Sequence, residues 1–348
     1  MSTRIKKTNI CSDIQDYILD IKKTSSHIPK AGDVAIFEVL FIGKHTTLQS
    51  DSKRNVKIMP GDQIMAAFGN RYATDQFEGY VPDTCLTEFH MLAAGGIVGL
   101  VKTMHDRFSP LGPTRVKIIG YVTHKNGQVI NTKELKASHL SEFSGVTPML
   151  SNVVLSVGSS MNSGKTTTAA HIVHGLKKNG HKVAFMKLTG TTYTKDKDLA
   201  YDLGADISVD FSDFGFPSTY MCDEKELLNL YESLIRLVSK ENPEYIVIEI
   251  ADGLYQRETK MLLTNKRFLN TIDKIIFSAS DSLSAVNGVQ IMATWNIVPV
   301  ALSGVFTMSP LLMQEVKENV SVPSVTLADL IANAPEILKQ GTRLRMMV

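Results

Sequence analysis

"VVLSVGSSMNSGKTTTAAHIV", residues 153–173, decides the fold of the larger part of this chain. An apolar run leads into Ser, Gly and Asn, reaches Gly164-Lys165-Thr166, and continues as a helix-forming segment. A strand that turns tightly into a helix presents backbone N–H groups at the helix N-terminus, where the dipole favours an anion. Gly164 lets the backbone approach a phosphate closely. Lys165 supplies a point charge to the β- and γ-phosphates, and the Thr166 hydroxyl is suited to ligate Mg²⁺. The stretch therefore reads as a phosphate-binding loop, with Gly158, Ser159, Asn162, Ser163, Gly164, Lys165, Thr166 and Thr167 as nucleotide-binding residues. The common spacing, G-x-x-x-x-G-K-[ST], would place a glycine where Ser159 stands; here the glycine comes one residue earlier, at Gly158.

Composition sets the frame around that loop. The chain has 348 residues, enough for roughly two domains. Hydrophobic residues make up 43% and charged residues 21%, as in ordinary globular proteins. With 37 basic and 35 acidic residues the formal net charge is +2, so no global field points to nucleic acid or an anionic membrane. Cys11, Cys85 and Cys222 are odd in number and scattered, which argues against a disulfide framework or structural zinc. No apolar run approaches the roughly 18 residues of a membrane span, and the N-terminal stretch lacks the apolar core of a secretion signal. A cytoplasmic protein is expected.

The chain changes texture along its length. In residues 1–30, Ser12 and Gln15 suggest a capping box, and Ile14, Tyr17, Ile18 and Ile21 recur at helical spacing, predicting one amphipathic helix. Residues 31–135 hold short β-rich runs punctuated by turn residues, with Asn126-Gly127 a hairpin signal, and predict a small antiparallel barrel or sandwich. Residues 136–150 read as a linker. From 151 to 348, "NVVLSV", "KVAFMKL", "YIVIEI", "KIIFSAS" and "VPVALSGV" alternate with helix-like segments, the clearest starting at Asp223 with Glu226 completing a capping box. Apolar strands alternating with helices imply a parallel sheet. The expected fold is α/β: a doubly wound parallel-sheet P-loop NTPase domain preceded by a small β-rich domain.

The spacing Gly158-x5-Gly164-Lys165-Thr166 resembles the loop of dethiobiotin synthetase, one residue longer than the common form. The resemblance continues in "VAFMKLTGT", which puts Lys187 where that family has a second lysine near the phosphates, and in "VIEIADG". There Glu249 matches the family's Mg²⁺-binding acid, while Ile250 and Asp252 replace glycines. "VAFMKLTGTTYTKDKDLAYDLGAD" is similar to the GTP-binding accessory proteins of molybdopterin-guanine dinucleotide synthesis. The loop also resembles those of bacterial P-loop proteins that include amino-acid kinases. These likenesses cover residues 151 to about 310 and imply ATP or GTP with Mg²⁺, and a homodimer.

Other residues have two readings each. Asp252, three residues past Glu249, competes with it as the metal-linked acid. "KDKD" at 195–198 reads first as an exposed helix start and second as a run that reaches the substrate. "DFSDFGFPSTY" reads as a shaped pocket or a packed turn and offers Ser218 and Thr219; Arg257 would contact a substrate anion or cap its helix. His171 and His174 read as the polar face of the loop helix rather than a metal pair. Asn70, Arg71 and Tyr72 read as part of a hairpin, with a partner or ligand surface as the alternative. The function expected is Mg-ATP-dependent phosphoryl transfer to a small molecule, with Lys165, Lys187 and Glu249 catalytic, Thr166, Glu249 and Asp252 on the metal, and Ser218, Thr219 and Arg257 on the substrate. The alternative is an NTP-hydrolysing switch or assembly factor that reads a protein partner through the β-rich domain.

Overall fold

The structure, a computed structural model, describes residues 4–146 and 151–340. It divides the chain into two compact units. One comprises residues 1–140 together with Thr191–Thr194 and Phe211–Met221; the other comprises residues 141–190, 195–210 and 222–348.

The first unit is a barrel. Strand Gln63–Phe68 pairs with Val34–Phe41, which pairs with Arg115–Thr123, then Glu88–Ala93, then Ile97–Met104. All these pairings are antiparallel. The ring closes where Ile97–Met104 returns to Gln63–Phe68 in parallel register. Alternation along each strand explains why both faces need cover. Ala35, Phe37 and Val39 pack with Phe68, Phe89 and Tyr121 in one buried cluster, while Val34 and Ile36 join a second cluster with Met65, Ala67 and Val122.

That second cluster corrects the reading of residues 1–30. Among its described residues, 4–30, the segment forms no α-helix: Ile5–Lys7 adds in parallel to Gln63–Phe68, Asn9–Cys11 is a single 3₁₀ turn, and Ile18–Asp20 adds to Arg115–Thr123. Ile10, Cys11 and Ile14 fill the second cluster, whereas Ile18 and Ile21, half of the supposed stripe, are exposed. Strand pairing and cover for an apolar outer face outweigh a helical pattern that includes two residues left in water. The Asn126-Gly127 turn is present as a three-residue connection: His124 N–H donates to Gln128 O at 2.9 Å, and Gly127 takes φ 81°.

Two later pieces of chain complete this unit. Gln49 Nε2 donates to Thr194 Oγ1 at 2.8 Å, and the Thr132 hydroxyl donates to Gly215 O at 2.7 Å. Phe211, Phe214 and Phe216 are buried. The domains are therefore not contiguous in sequence, as the division at 136–150 had supposed. Nor is that stretch a free linker where it is described. Thr132–Lys136 is helical, and residues 141–146 belong to the second unit, where Phe143 N–H donates to Asn229 Oδ1 at 2.9 Å. Residues 147–150 lie outside the described residues.

The second unit carries a six-stranded, all-parallel sheet in the order Ile207–Asp210, Val183–Lys187, Tyr245–Glu249, Asn152–Gly158, Lys274–Ser278, Ala301–Ser303. Phe185, Val247, Val154 and Ile276 pack on one side with helices Lys165–Lys178 and Leu327–Lys339. Their neighbours Met186, Ile248, Leu155 and Phe277 point the other way and are equally buried, the pattern of a sheet wound on both faces. The Asp223/Glu226 capping box opens helix Glu224–Ser239 as the sequence predicts. Among the described residues no helix is long and apolar enough to cross a membrane.

Candidate functional site

Strand Asn152–Gly158 lies between Tyr245–Glu249 and Lys274–Ser278, and the loop leaves its C-terminal end. The loop then enters helix Lys165–Lys178. Two backbone positions carry the strain of the turn: Asn162 at φ 65° and Gly164 at φ 97°. Gly158 is needed for space, since a Cβ there would lie 2.3 Å from Ser163 Oγ and 2.5 Å from Lys165 Cγ. The displaced glycine is thus where the lysine stem crosses the strand end. Gly253 and Gly304 buttress the loop from neighbouring strand ends. A Cβ on Gly253 would meet Ser159 O at 2.3 Å, and one on Gly304 would meet Ser163 O at the same distance. Val305 N–H donates to Ser163 O at 3.2 Å.

The Lys165 ammonium reaches back across the loop and donates to Ser160 O at 2.6 Å. Burial pulls its pKa down, while the charges of Glu249 and Asp252 oppose that shift. The Thr166 hydroxyl donates to Glu249 Oε1 at 2.7 Å. Glu249 is 2% exposed, and its second oxygen, Oε2, is buried with no hydrogen-bond partner among the described residues. Lys187 Nζ lies 4.0 Å from Glu249 Oε1 and forms a close ion pair with Asp196. Burial alone would lower Lys187, but Glu249 and Asp196 together leave its pKa raised, so it stays an ammonium. Burial pushes the Glu249 carboxyl up against the pull of Lys187.

Lys165, Thr166, Lys187 and Glu249 are therefore gathered at one end of the sheet. Asp252 follows at φ 62° and acts on Lys165 by charge. Ser159, Asn162, Ser163 and Thr167 line the loop or the first turn of its helix. Ser218 and Thr219 fold with the barrel unit; both are buried, and the Ser218 hydroxyl accepts from Tyr220 N–H at 3.1 Å. Arg257 opens helix Arg257–Thr264, donating to Cys222 O at 2.7 Å and pairing with Glu258. His171 and His174 bond backbone carbonyls of Thr167 and Leu203.

The "KDKD" run departs from its reading as an exposed helix start. Asp196 turns to Lys187, and Lys197 is buried with its ammonium 3.2 Å from Asp210 Oδ2. Asp196 and Asp210 are site residues that sequence reasoning missed. A signal was present: the charged run continues directly into Leu199 and Ala200 on a helix between two strands, and one face of such a helix must meet the sheet.

The fit to Mg²⁺ can be tested on these atoms. Among the described residues no three His, Cys, Asp or Glu side chains are placed to hold a metal by themselves. Mg²⁺ commonly takes only one or two protein ligands and fills its octahedron with water and substrate phosphates. Thr166 Oγ1 and the unpartnered Glu249 Oε2 suit that demand.

The parallel strand order, with a Gly-Lys-Thr loop between the central strand and its helix, defines a P-loop NTPase fold. No protein-family model matches the chain, and no curated protein does. Among solved structures the chain is similar to a DUF1611 family protein from Anabaena variabilis (14% identity, TM-score 0.43, 63% of this chain and 66% of that one). It is also similar to the signal recognition particle receptor FtsY from Elizabethkingia anophelis (15% identity, TM-score 0.35, 60% and 70%). A third is a ParA family ATPase from Chlorobium tepidum (12% identity, TM-score 0.32, 54% and 92%). The fold assignment stands on this chain's own strand order and loop.

Proposed function

We propose that the chain binds a nucleoside triphosphate with Mg²⁺, ATP in the first place and GTP as the other candidate, and transfers its terminal phosphoryl group to a small-molecule acceptor. The observation that carries the reading is the convergence of Thr166, Glu249 and Lys187 beside the loop, with Glu249 Oε2 unpartnered. In this reading Gly158, Ser159, Asn162, Ser163, Gly164 and Thr167 provide the cradle for the phosphates. Lys165 exchanges Ser160 O for a phosphate oxygen, and Lys187 adds a second positive charge where negative charge develops. Thr166 and Glu249, with Asp252 as the alternative acid, hold Mg²⁺, which supplies charge neutralisation on the phosphate oxygens. Arg257, Ser218 and Thr219 remain candidates for the acceptor. The resemblance to dethiobiotin synthetase supports a small-molecule acceptor and a homodimer.

A hydrolysing switch acting on a macromolecule is the second reading. It is favoured by one feature: Thr194, tied to Gln49 in the barrel unit, is only two residues from Asp196, the partner of Lys187.

Thermal shift of the full chain with Mg-ATP and Mg-GTP, against Lys165→Ala, tests the nucleotide step. Ligand at a hundredfold excess over Kd stabilises by about 2.7 kcal/mol, and that shift should vanish in the variant. A variant that keeps the full shift overturns the proposal. Turnover raised by a metabolite pool supports transfer; turnover raised only by the large-molecule fraction of a lysate supports the switch.

A further inference from the structure

The barrel unit holds a cleft that the loop chemistry does not use. Strand Ile18–Asp20 pairs with the end of Arg115–Thr123, and the last rung joins Ile18 to Thr123. Beyond that rung the two stretches of chain line a cavity of about 860 Å³. Asp16, Tyr17 and Ile18 come from the N-terminal stretch, and His124, Lys125, Asn126 and Gln128 from the hairpin tip. The volume lies within the range of small-molecule sites, about 300–1,000 Å³.

Both stretches are tied down. At the hairpin tip Gly127 N–H donates to His124 O at 2.9 Å, and Gln128 N–H donates to Asn126 Oδ1 at 3.0 Å. On the other stretch the Thr123 hydroxyl donates to Ile18 O at 3.1 Å, and Lys7 Nζ donates to Ile14 O at 2.8 Å. Tyr17 packs against the cluster that holds Ile10, Cys11 and Ile14. The frame is therefore set before any ligand arrives, which spares the cost of ordering it.

Inside this frame the polar tips are uncommitted. Among the described residues, the side chains of Asp16, Tyr17, His124 and Lys125 make no hydrogen bond or ion pair. The neighbouring acids are engaged: Asp13 pairs with Lys136 at 2.7 Å, and Glu134 accepts from Gln128 Nε2 at 3.3 Å. Asp16 and Lys125 thus share one cavity, opposite in charge and unpaired with each other. A simple anion there would be repelled by Asp16 and a simple cation by Lys125, whereas a molecule carrying both charges satisfies both. Tyr17 and Ile18, the latter 50% exposed, add an apolar face.

We propose that this cleft binds a zwitterion with an apolar side chain, a free amino acid or a short peptide. Asp16 takes its ammonium, Lys125 its carboxylate, and Tyr17 with Ile18 its side chain. Charge pairs this exposed are worth little singly. Affinity is therefore shared between the two ends and the apolar contact, and losing one end should weaken binding roughly fivefold, about 1 kcal/mol.

The test uses the full chain with ¹³C-labelled isoleucine methyl groups, the Ile18 signal being assigned by its loss in Ile18→Val. That signal reports the cleft itself, so a molecule bound elsewhere does not move it. It is followed by NMR as L-leucine, the dipeptide Leu-Leu, 4-methylpentanoate or isopentylamine is added at matched pH and ionic strength. The last two are leucine without its ammonium and leucine without its carboxylate. A zwitterion should shift the signal saturably, and each one-charge relative should need at least about fivefold more. A response to leucine alone identifies an amino acid, and a response to Leu-Leu identifies a peptide. Asp16→Asn and Lys125→Gln should each raise the half-saturating concentration roughly fivefold. A signal unmoved by both zwitterions, a one-charge relative that saturates alongside leucine, or either variant saturating like its parent would overturn the assignment.

Discussion

Gly304→Ala is the sharpest probe of how the loop is held. Gly304 has φ 105° and ψ −162°, a region that is essentially glycine's alone and costs another residue about 1–3 kcal/mol. Its new Cβ would also sit 2.3 Å from Ser163 O and 2.7 Å from both Ala279 N and Ala279 O. These are backbone atoms, so no flexible side chain can yield; relief requires Ser163 and Gly164 to move, at an overpacking cost of about 1–3 kcal/mol. The sum, about 2–6 kcal/mol, is a large part of a typical domain stability of about 5–15 kcal/mol. Gly180→Ala is the matched control, with φ 83° and nothing within 4 Å of the new Cβ. It should cost only the left-handed strain, about 1–2 kcal/mol, or roughly 2–8 °C in Tm. Denaturant melts and calorimetric titration of Mg-nucleotide on both variants give the comparison. Gly304→Ala should lose more stability than Gly180→Ala and bind nucleotide at least about tenfold more weakly. A Gly304→Ala protein with wild-type Kd and a melt no worse than the control would refute the buttress.

Further outcomes follow from the same geometry. Glu249→Gln should suppress Mg-dependent turnover while leaving the unliganded fold at least as stable at neutral pH. The sign follows from the raised pKa: the native state holds the proton more tightly than the unfolded chain, so stability falls as pH climbs from about 4.5 through the raised value, and glutamine removes that loss. Denaturant melts at acid and neutral pH check this; a large effect of Asp252→Asn with a silent Glu249→Gln would move the metal site three residues on. Lys44 has the opposite slope. Burial, then the charges of Arg71 and Arg107, hold its native pKa at about 7, below 10.5, so the unfolded chain binds the extra proton and stability should rise between those values, a rise flattened in Lys44→Met. Excising residues 1–135 should yield an aggregating fragment by light scattering, because Phe211, Phe214 and Phe216 lose the unit in which they are buried; a monodisperse fragment would refute that.

What could be read in the sequence was what lies close in the chain. Strand, loop and helix around Gly158–Lys165 are contiguous, so motif and context support each other within twenty residues or so. Glu249 was legible because a strand end fixes a frame. The N-terminal segment failed for the opposite reason. Its helical spacing was local, while the strands that capture Ile5–Lys7 and Ile18–Asp20 lie far along the chain. Asp196 was missed because a charge run looks solvated until Lys187, on a strand, faces it, and Asp210 because its partner, Lys197, belongs to that same run. The cleft shared by Asp16 and Lys125 joins two stretches far apart in the chain, which no local pattern brings together.

The barrel's borrowed segments bear on how the protein is made. A ribosome releases chain from the N-terminus onward, and domains generally fold as they emerge. Here the first unit lacks its last piece until Met221 has left the exit tunnel, about eighty residues after Leu140. At 5–20 residues per second that delay is roughly 4–16 s. During it the newborn barrel shows bare surface where Thr132, Gly95 and Gly69 will later meet Gly215, Thr192 and Pro217. The unit that begins translation first is thus obliged to finish folding together with its successor, and a synonymous change that slows elongation between 140 and 221 lengthens its exposure to chaperones and proteases without altering one residue.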